Sequence, residues 1–257
     1  MKPISQWQTQ ELTQAFLEGM RDAIPAADLQ LAVISKVVHR WNTSPERILD
    51  LGCGNGILGH FLLKLFPSAN GLFLDFSDPM IDAAIEKVGA LPNTTVAMAD
   101  FASAQWLDIA GPLGPFDIVV SGFAIHHQPD TRKRELYAEV FDLLAPKGTF
   151  LNLEHVASAT EAGQRLFDDF FVDHLHDFHS KSDSNASRDA IAEEYYNRPD
   201  KKENILAAVE DQCEWLRKIG FSDVDCFFKV FELAIFGGRK SSNKPPAADG
   251  MGVRGNP

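Results

Sequence analysis

The sequence is short of basic residues, and this shortage limits the partners it can have. Its 257 residues include 24 Lys and Arg against 36 Asp and Glu, which gives a formal net charge of −12 at pH 7. A protein that binds DNA along a broad surface needs clustered cations to neutralise phosphates. The one basic cluster, Arg132-Lys133-Arg134, is short and is predicted to be the solvated start of a helix. We therefore expect a small-molecule substrate and no DNA.

Cysteines and long apolar runs are also scarce. The three cysteines, Cys53, Cys213 and Cys226, are an odd number without metal-ligand spacing. No run of about 18 apolar residues is present, and the polar first ten residues lack the layout of a signal peptide. These absences predict a cytoplasmic protein with no membrane partner and no bound metal. A homodimer is compatible with the sequence, which does not define the oligomeric state.

From residue 46 onward, short apolar strands alternate with amphipathic helices, a pattern typical of an α/β domain with a mostly parallel sheet. Five strands are predicted at 47–51, 70–75, 94–99, 116–121 and 149–154. A helix at 205–219 and two further strands at 224–230 and 233–237 follow. We predict a helical cap at 1–45, a main domain at 46–240 with a helical lid inserted at 156–204, and a disordered tail at 241–257.

The most informative segment is a glycine-rich turn between a strand and a helix, residues 48–59. Glycines there permit positive φ and let a ligand approach the backbone closely. Gly54, Gly56 and Gly59 satisfy the G-x-G-x-x-G spacing of dinucleotide-binding turns, but a carboxylate at the strand end would repel a pyrophosphate. The candidate cofactor-binding residues of this segment are Asp50, Gly52, Cys53, Gly54, Asn55 and Gly56.

Further polar and aromatic candidates follow the ends of the next strands. The ligand of an open parallel sheet lies beyond those ends. Asp75 can accept both hydroxyls of a ribose, while Asp100 and Phe101 suit the amino group and ring of an adenine. His126 and His127 follow the fourth strand, where they could supply the base that a hydroxyl or activated-carbon acceptor needs.

These segments resemble the motifs of the class I S-adenosylmethionine (SAM)-dependent methyltransferases. The acidic residue with G-x-G-x-G at 50–56 is similar to motif I, and residues 71–80, 96–101 and 116–127 resemble the ribose motif, the adenine motif and motif IV. The resemblance implies a Rossmann-like seven-stranded sheet that ends in an antiparallel hairpin. It also implies SAM as methyl donor, S-adenosylhomocysteine (SAH) as product and an in-line displacement at the methyl group.

The same resemblance implies roles for single residues. Asp50 would orient the ammonium group of SAM, His127 would act as the base, and His126 would contact the cofactor. The remaining cofactor contacts expected from the matching positions are Phe76, Met80, Ser121 and Phe123. The methyl acceptor is implied only as a small molecule, with O-, N- or C-methylation left open.

The sequence leaves functions besides methyl transfer open. The C-terminal half, from Glu203-Asn204 onward, is similar to carboxy-SAM synthase, which uses SAM and prephenate and holds a cofactor carboxylate with an arginine. The nearby arginine here is Arg198, one position out of register. A SAM-binding protein without turnover and an NAD-binding oxidoreductase are also compatible with the glycine turn. In the lid, a metal site that includes Asp173 and His174 is conceivable, but a polar lid helix is the favoured interpretation.

Overall fold

The structure of the protein, a computed structural model, describes residues 24–181, 185–198 and 200–242. The predicted tail and the first half of the predicted cap therefore lie almost wholly outside the described residues. The helices are α1 (Ala27–Trp41), α2 (Ile57–Leu65), α3 (Asp78–Val88), α4 (Leu107–Ala110), α5 (Asp130–Leu143), α6 (Glu161–His179), α7 (Arg188–Asn197) and α8 (Val209–Ile219). The strands are β1 (Arg47–Leu51), β2 (Asn70–Asp75), β3 (Thr94–Met98), β4 (Phe116–Gly122), β5 (Leu144–His155), β6 (Phe221–Val230) and β7 (Leu233–Lys240).

The seven strands form one sheet in the order β3-β2-β1-β4-β5-β7-β6. The first five are parallel, and β7 is antiparallel to both β5 and β6. This is the fold class that the sequence predicted, and it is confirmed. The strand order reverses between β1 and β4, so the crevice beyond the ends of these two strands is the expected ligand site.

Helices cover both faces of the sheet, and each face has its own apolar core. On one face α5 and α8 pack on the strands through side chains such as Leu136, Val140 and Leu216. On the other, α1, α2 and α3 pack through side chains such as Val38 and Leu62. Helices α6 and α7, which lie in the segment predicted to be a lid, join this second core through Phe171 and Tyr195, so they lie on the same side of the sheet as α1.

Several predicted boundaries were wrong. The helix predicted at 205–219 begins only at Val209. Residues 203–207, which we call the strap, lie outside any α-helix and are held by contacts with other elements. β5 begins at Leu144 and β6 at Phe221. In β5 the Pro-Lys-Gly sequence that predicts a turn is accommodated inside the strand, with Lys147 at φ 69°.

The prediction for the basic cluster was also wrong. Of its three residues only Arg134 is exposed, whereas Arg132 and Lys133 are buried at 8% and 1% exposure. Burial of these cations is possible because each has a carboxylate partner, Glu139 for Arg132 and Asp130 for Lys133.

No helix among the described residues is both long and apolar enough to span a bilayer.

Candidate cofactor and active site

The glycine turn between β1 and α2 has an unusual backbone. Gly52, Gly54 and Gly56 have φ values of 67°, 53° and 77°, which side chains with a Cβ rarely adopt. A Cβ at Gly54 would meet only the Met80 sulfur, at 3.8 Å, within 4 Å. The turn is therefore a cradle that opens toward space, as a site for a closely held ligand requires. Cys53 and Asn55 are buried within it.

Asp50 lies underneath this cradle. Its side chain is 1% exposed, and one carboxylate oxygen accepts a 2.7 Å hydrogen bond from the Gly59 amide in the first turn of α2. Burial, with a smaller contribution from the charge of Asp75, raises the pKa of Asp50 to about 7 against the opposing effect of the Gly59 hydrogen bond. Gly59, the third glycine of the G-x-G-x-x-G spacing, thus donates a hydrogen bond to a buried carboxylate.

Asp75 stands beside the cradle at the end of β2. Its two oxygens accept hydrogen bonds of 2.9 Å from the amides of Gly54 and Ser77, so the carboxylate links the turn to the start of α3. Burial raises the pKa of Asp75, although these amides oppose the rise. An ionised carboxylate has about four acceptor positions, so this one retains the capacity to accept ribose hydroxyls.

The side of the crevice predicted to hold an adenine ring is formed after β3. The Phe101 ring is buried against Gly52, where a Cβ would come within 3.1 Å of the ring edge. Asp100 is exposed, and its carboxylate accepts a 2.8 Å hydrogen bond from the Ala102 amide. Met80 is buried and Phe76 half-buried, both on the side of α3. The structure therefore brings the cofactor candidates after the first three strands to one edge of the sheet.

Two candidates after β4 have different neighbours. The Ser121 hydroxyl is buried and donates a 2.7 Å hydrogen bond to the Leu51 carbonyl, so it ties β4 to β1. Phe123 has φ 53° and places its ring 4.8 Å from that of His155, on the lid side of the crevice.

His126 forms a buried pair with Glu154, which lies near the end of β5. Its Nδ1 is 2.5 Å from one oxygen of Glu154, and its backbone amide donates to the other oxygen at 3.0 Å. A carboxylate next to Nδ1 places the proton of a neutral imidazole on Nδ1, which leaves Nε2 as a proton acceptor. No pattern in the sequence indicates that Glu154 contacts His126, 28 positions away.

His127 packs against His126, with ring centroids 4.0 Å apart. Its Nδ1 lies 3.5 Å from the Glu203 carbonyl in the strap. Burial and then the neighbouring His126 lower the pKa of His127 to about 2. His127 is therefore a neutral ring held between His126 and the strap.

A polar network extends from His155 to the lid. His155 Nδ1 lies 3.5 Å from Glu232, which also accepts a 3.3 Å hydrogen bond from the Tyr195 hydroxyl. The Lys201 ammonium lies 3.6 Å from the centre of the Tyr195 ring and 3.0 Å from Asp168. Contacts with His155, Lys201 and Tyr195 hold the pKa of Glu232 below its ordinary value although burial raises it. The sequence analysis did not identify Glu232. An acidic residue between the two strands of the predicted hairpin is the one sequence feature that could have pointed to it.

Comparisons with known proteins agree with this geometry. The family model for a methyltransferase domain matches residues 48–148, from the glycine turn to the start of β5. The chain is 24% identical over 231 residues to a carboxy-S-adenosyl-L-methionine synthase from Nitratiruptor sp., a match that covers 88% of this chain and 90% of that protein. It is 32% identical over 119 residues to a malonyl-[acyl-carrier protein] O-methyltransferase from Legionella pneumophila, with 45% and 40% coverage.

Among solved structures, an O-methyltransferase family protein from Burkholderia thailandensis shares the fold with a TM-score of 0.63 and 17% identity. The similarity covers 90% of this chain and 60% of that protein, so this chain spans about three fifths of its length.

Residues 48–148 therefore carry a domain of the methyltransferase family. The resemblance inferred from the motifs is thus confirmed, and so is SAM, the methyl donor of the family, as the cofactor. This domain contains the cradle, the two buried aspartates and Phe101 packed against Gly52.

Proposed function

We propose that this methyltransferase transfers the methyl group of SAM to a proton-bearing atom, such as a hydroxyl oxygen, of a small molecule held beneath α6 and α7. The observation that carries this proposal is the buried His126–Glu154 pair at the lid side of the glycine cradle. SAM supplies an electrophilic methyl carbon, and such a transfer depends on alignment and on removal of the acceptor proton.

The residues of the cradle fit the parts of SAM. Gly52, Gly54 and Gly56 would admit the amino-acid moiety against the backbone, and Asp75 would accept the ribose hydroxyls. Phe101 would contact the adenine ring. Asp50 would act from below the cradle, where its negative charge favours an ammonium group. This assignment is supported by the open space at Gly54 and by the position of Asp75 beside it.

We further propose His126 as the base, in place of the His127 that the sequence suggested. A base needs an accepting nitrogen and a group that stabilises the ring after it gains a proton. Glu154 gives His126 both, because it holds the proton on Nδ1 and carries a compensating charge. His127 has a carbonyl as its neighbour at Nδ1, and its lowered pKa makes it a poor proton acceptor.

The cofactor assignment is tested by calorimetric titration of SAM and SAH. Wild type should bind both ligands, and Asp75→Asn should bind each at least about tenfold more weakly, the effect of losing one charged hydrogen-bond acceptor. Asp82→Asn is the matched control, since Asp82 is an exposed acid in α3. Well-folded protein that binds neither ligand would refute the proposal.

The base is tested with acceptors found by screening small hydroxylated compounds for methylation. His126→Asn and Glu154→Gln should lower kcat by about a hundredfold or more, the usual contribution of a general base. Both variants should keep the SAH affinity of wild type within about twofold, which is a change in binding free energy well below the 1.4 kcal/mol of a tenfold effect. If His127→Asn shows the larger loss of kcat, the base is His127 and this assignment is wrong.

The similarity to carboxy-SAM synthase supports a second candidate function. The match to that relative extends along nearly the whole of both chains. In addition, the Arg198 guanidinium lies 5.6 Å from the centre of the Tyr195 ring, next to the polar network that reaches His155. An arginine there could hold a carboxylate.

The two candidates are separated by incubating the protein with SAM and prephenate and analysing the nucleoside products by mass spectrometry. A product heavier than SAM by one CO2, lost in Arg198→Met, would favour the synthase. Absence of that product, together with SAH formation in the acceptor screen, would favour methyl transfer. SAM binding without either product would support a SAM-binding protein without turnover.

A further inference from the structure

The first turn of α5 carries two buried cations that the proposed reaction does not use. α5 begins three positions after His127, so this turn closely follows His126 and His127 in the chain. Arg132 and Lys133 are adjacent in the chain, yet they bond to two different segments, the loop at Phe101 and the strap at Ile205. We propose that they are positioning residues, Arg132 for the adenine side of the cofactor site and Lys133 for the strap over the histidines. This inference rests on the proposed function.

Arg132 reaches the loop that carries Phe101. Its Nε donates a 2.8 Å hydrogen bond to the Phe101 carbonyl, while its two terminal nitrogens bind Glu139 at 2.7 and 2.6 Å. Glu139 also accepts a 2.7 Å hydrogen bond from the indole of Trp106, which follows the same loop. The guanidinium is therefore oriented by a bidentate carboxylate, with a longer 3.4 Å contact to Glu135, and its Nε donor defines where the Phe101 carbonyl lies.

This placement bears on the cofactor because the Phe101 ring packs against Gly52 of the cradle. A shift of the Phe101 backbone moves that ring into or away from the adenine position. A lysine could not replace Arg132, since an ammonium cannot bind a carboxylate through two parallel bonds and a carbonyl through a third in one plane.

Lys133 reaches the strap. Its ammonium donates to the Ile205 carbonyl and to Asp130. The Ile205 amide in turn donates a 2.8 Å hydrogen bond to the His126 carbonyl. One residue of the strap is thus held at both its amide and its carbonyl, by the histidine turn and by the helix that follows it.

The far end of the strap is attached independently. The Ala207 carbonyl accepts hydrogen bonds of 3.1 Å from the Ala157 amide and from the Gln212 side chain. Loss of Lys133 would therefore free the half of the strap next to the histidines and leave the end at Ala207 in place. That half is bonded to the His126 carbonyl, whereas the Phe101 carbonyl is bonded to Arg132.

The experiment combines hydrogen–deuterium exchange of the ligand-free protein with SAH titration. The variants are Arg132→Met and Lys133→Met. The control is Arg134→Met, which removes the same charge from an exposed position on the same turn. Arg132→Met should speed exchange in residues 101–106 and weaken SAH binding by about tenfold, the effect of one charge-assisted hydrogen bond, with exchange in 203–207 unchanged.

Lys133→Met should show the reverse pattern. Exchange in residues 203–205 should rise by about tenfold, again the effect of one charge-assisted hydrogen bond, while exchange in 101–106 and SAH affinity stay at wild-type values. Arg134→Met should change none of these quantities.

A change of both segments in either variant, or of neither, would overturn the division of roles, because a general loss of stability has no reason to separate them. If Arg132→Met does not fold, Arg132→Lys gives the same test with the charge retained. If wild type fails to bind SAH, the proposed function fails, but the exchange measurements still decide whether the two cations position separate segments.

Discussion

Replacement of Asp50 by asparagine should stabilise the fold, and the gain should increase with pH. The Asp50 carboxylate is buried beneath the cradle, and its pKa in the folded protein is about 7 against an ordinary value of 3.8. Between these two values the unfolded chain releases the proton and the folded chain retains it. Unfolding is then favoured by every increase in pH, so Asp50 lowers stability progressively from about pH 4 to pH 7.

The magnitude follows from the two pKa values. Their difference of about three pH units corresponds to about 4 kcal/mol at about 1.4 kcal/mol per unit. Asparagine has no proton to lose, and its side-chain oxygen can still accept the hydrogen bond from Gly59. The free energy of unfolding of Asp50→Asn relative to wild type should therefore rise by about 1.4 kcal/mol per pH unit and level off above pH 7.

The assay is urea unfolding of both proteins at intervals from pH 4 to pH 8, with Asp82→Asn as an exposed control. A difference between Asp50→Asn and wild type that does not change with pH would refute the reasoning, since it would show that the carboxyl ionises equally easily in both states. SAH titration of the same variant completes the test. If the negative charge of Asp50 serves the ammonium group of the cofactor, Asp50→Asn should bind SAH more weakly while it unfolds less easily.

Three further substitutions test the packing around the site. Gly52→Ala should abolish SAH binding, because a Cβ there would overlap that of Ala124 at a φ of 67°; SAH affinity equal to wild type would contradict this. Ser121→Ala should lower the free energy of unfolding by about 1–2 kcal/mol, because the Leu51 carbonyl loses its buried donor. An unchanged midpoint of urea unfolding would show that this hydrogen bond contributes nothing to stability. Tyr137→Phe should lower the free energy of unfolding by about 1–3 kcal/mol, because the buried Gln212 side chain on α8 loses its 2.6 Å partner. An equal loss in the exposed control Tyr196→Phe would show that this hydrogen bond is not the cause.

Much of the candidate cofactor site could be derived from the sequence because its residues follow strand ends in the chain. Parallel strands that alternate with helices bring their carboxyl ends to one edge. The pattern at Asp50, Asp75 and Phe101 was therefore informative from the sequence alone. The glycines were informative for a second reason, since a backbone with three positive φ values in five residues demands them.

The acceptor side could not be predicted in the same way. Glu154 and His126 are 28 positions apart, and their contact depends on β5 lying next to β4. Glu232 enters the site only because the β6–β7 hairpin folds back beside β5, which brings it to His155. No local pattern marks such pairs, because side chains from distant segments meet through strand pairing.

The sequence by itself determined the fold class and the glycine cradle, because these depend on periodicity, backbone conformation and residue order along the chain. The resemblance of its motifs to a known family implied the cofactor. Only the tertiary structure decided which histidine is paired with a carboxylate and which basic residues are buried. Arg132 and Lys133 follow a pattern typical of a solvated helix start, and their burial depends on carboxylates and carbonyls that the folded chain brings to them. The energetic state of a charged side chain is a property of its surroundings, and those surroundings exist only in the folded chain.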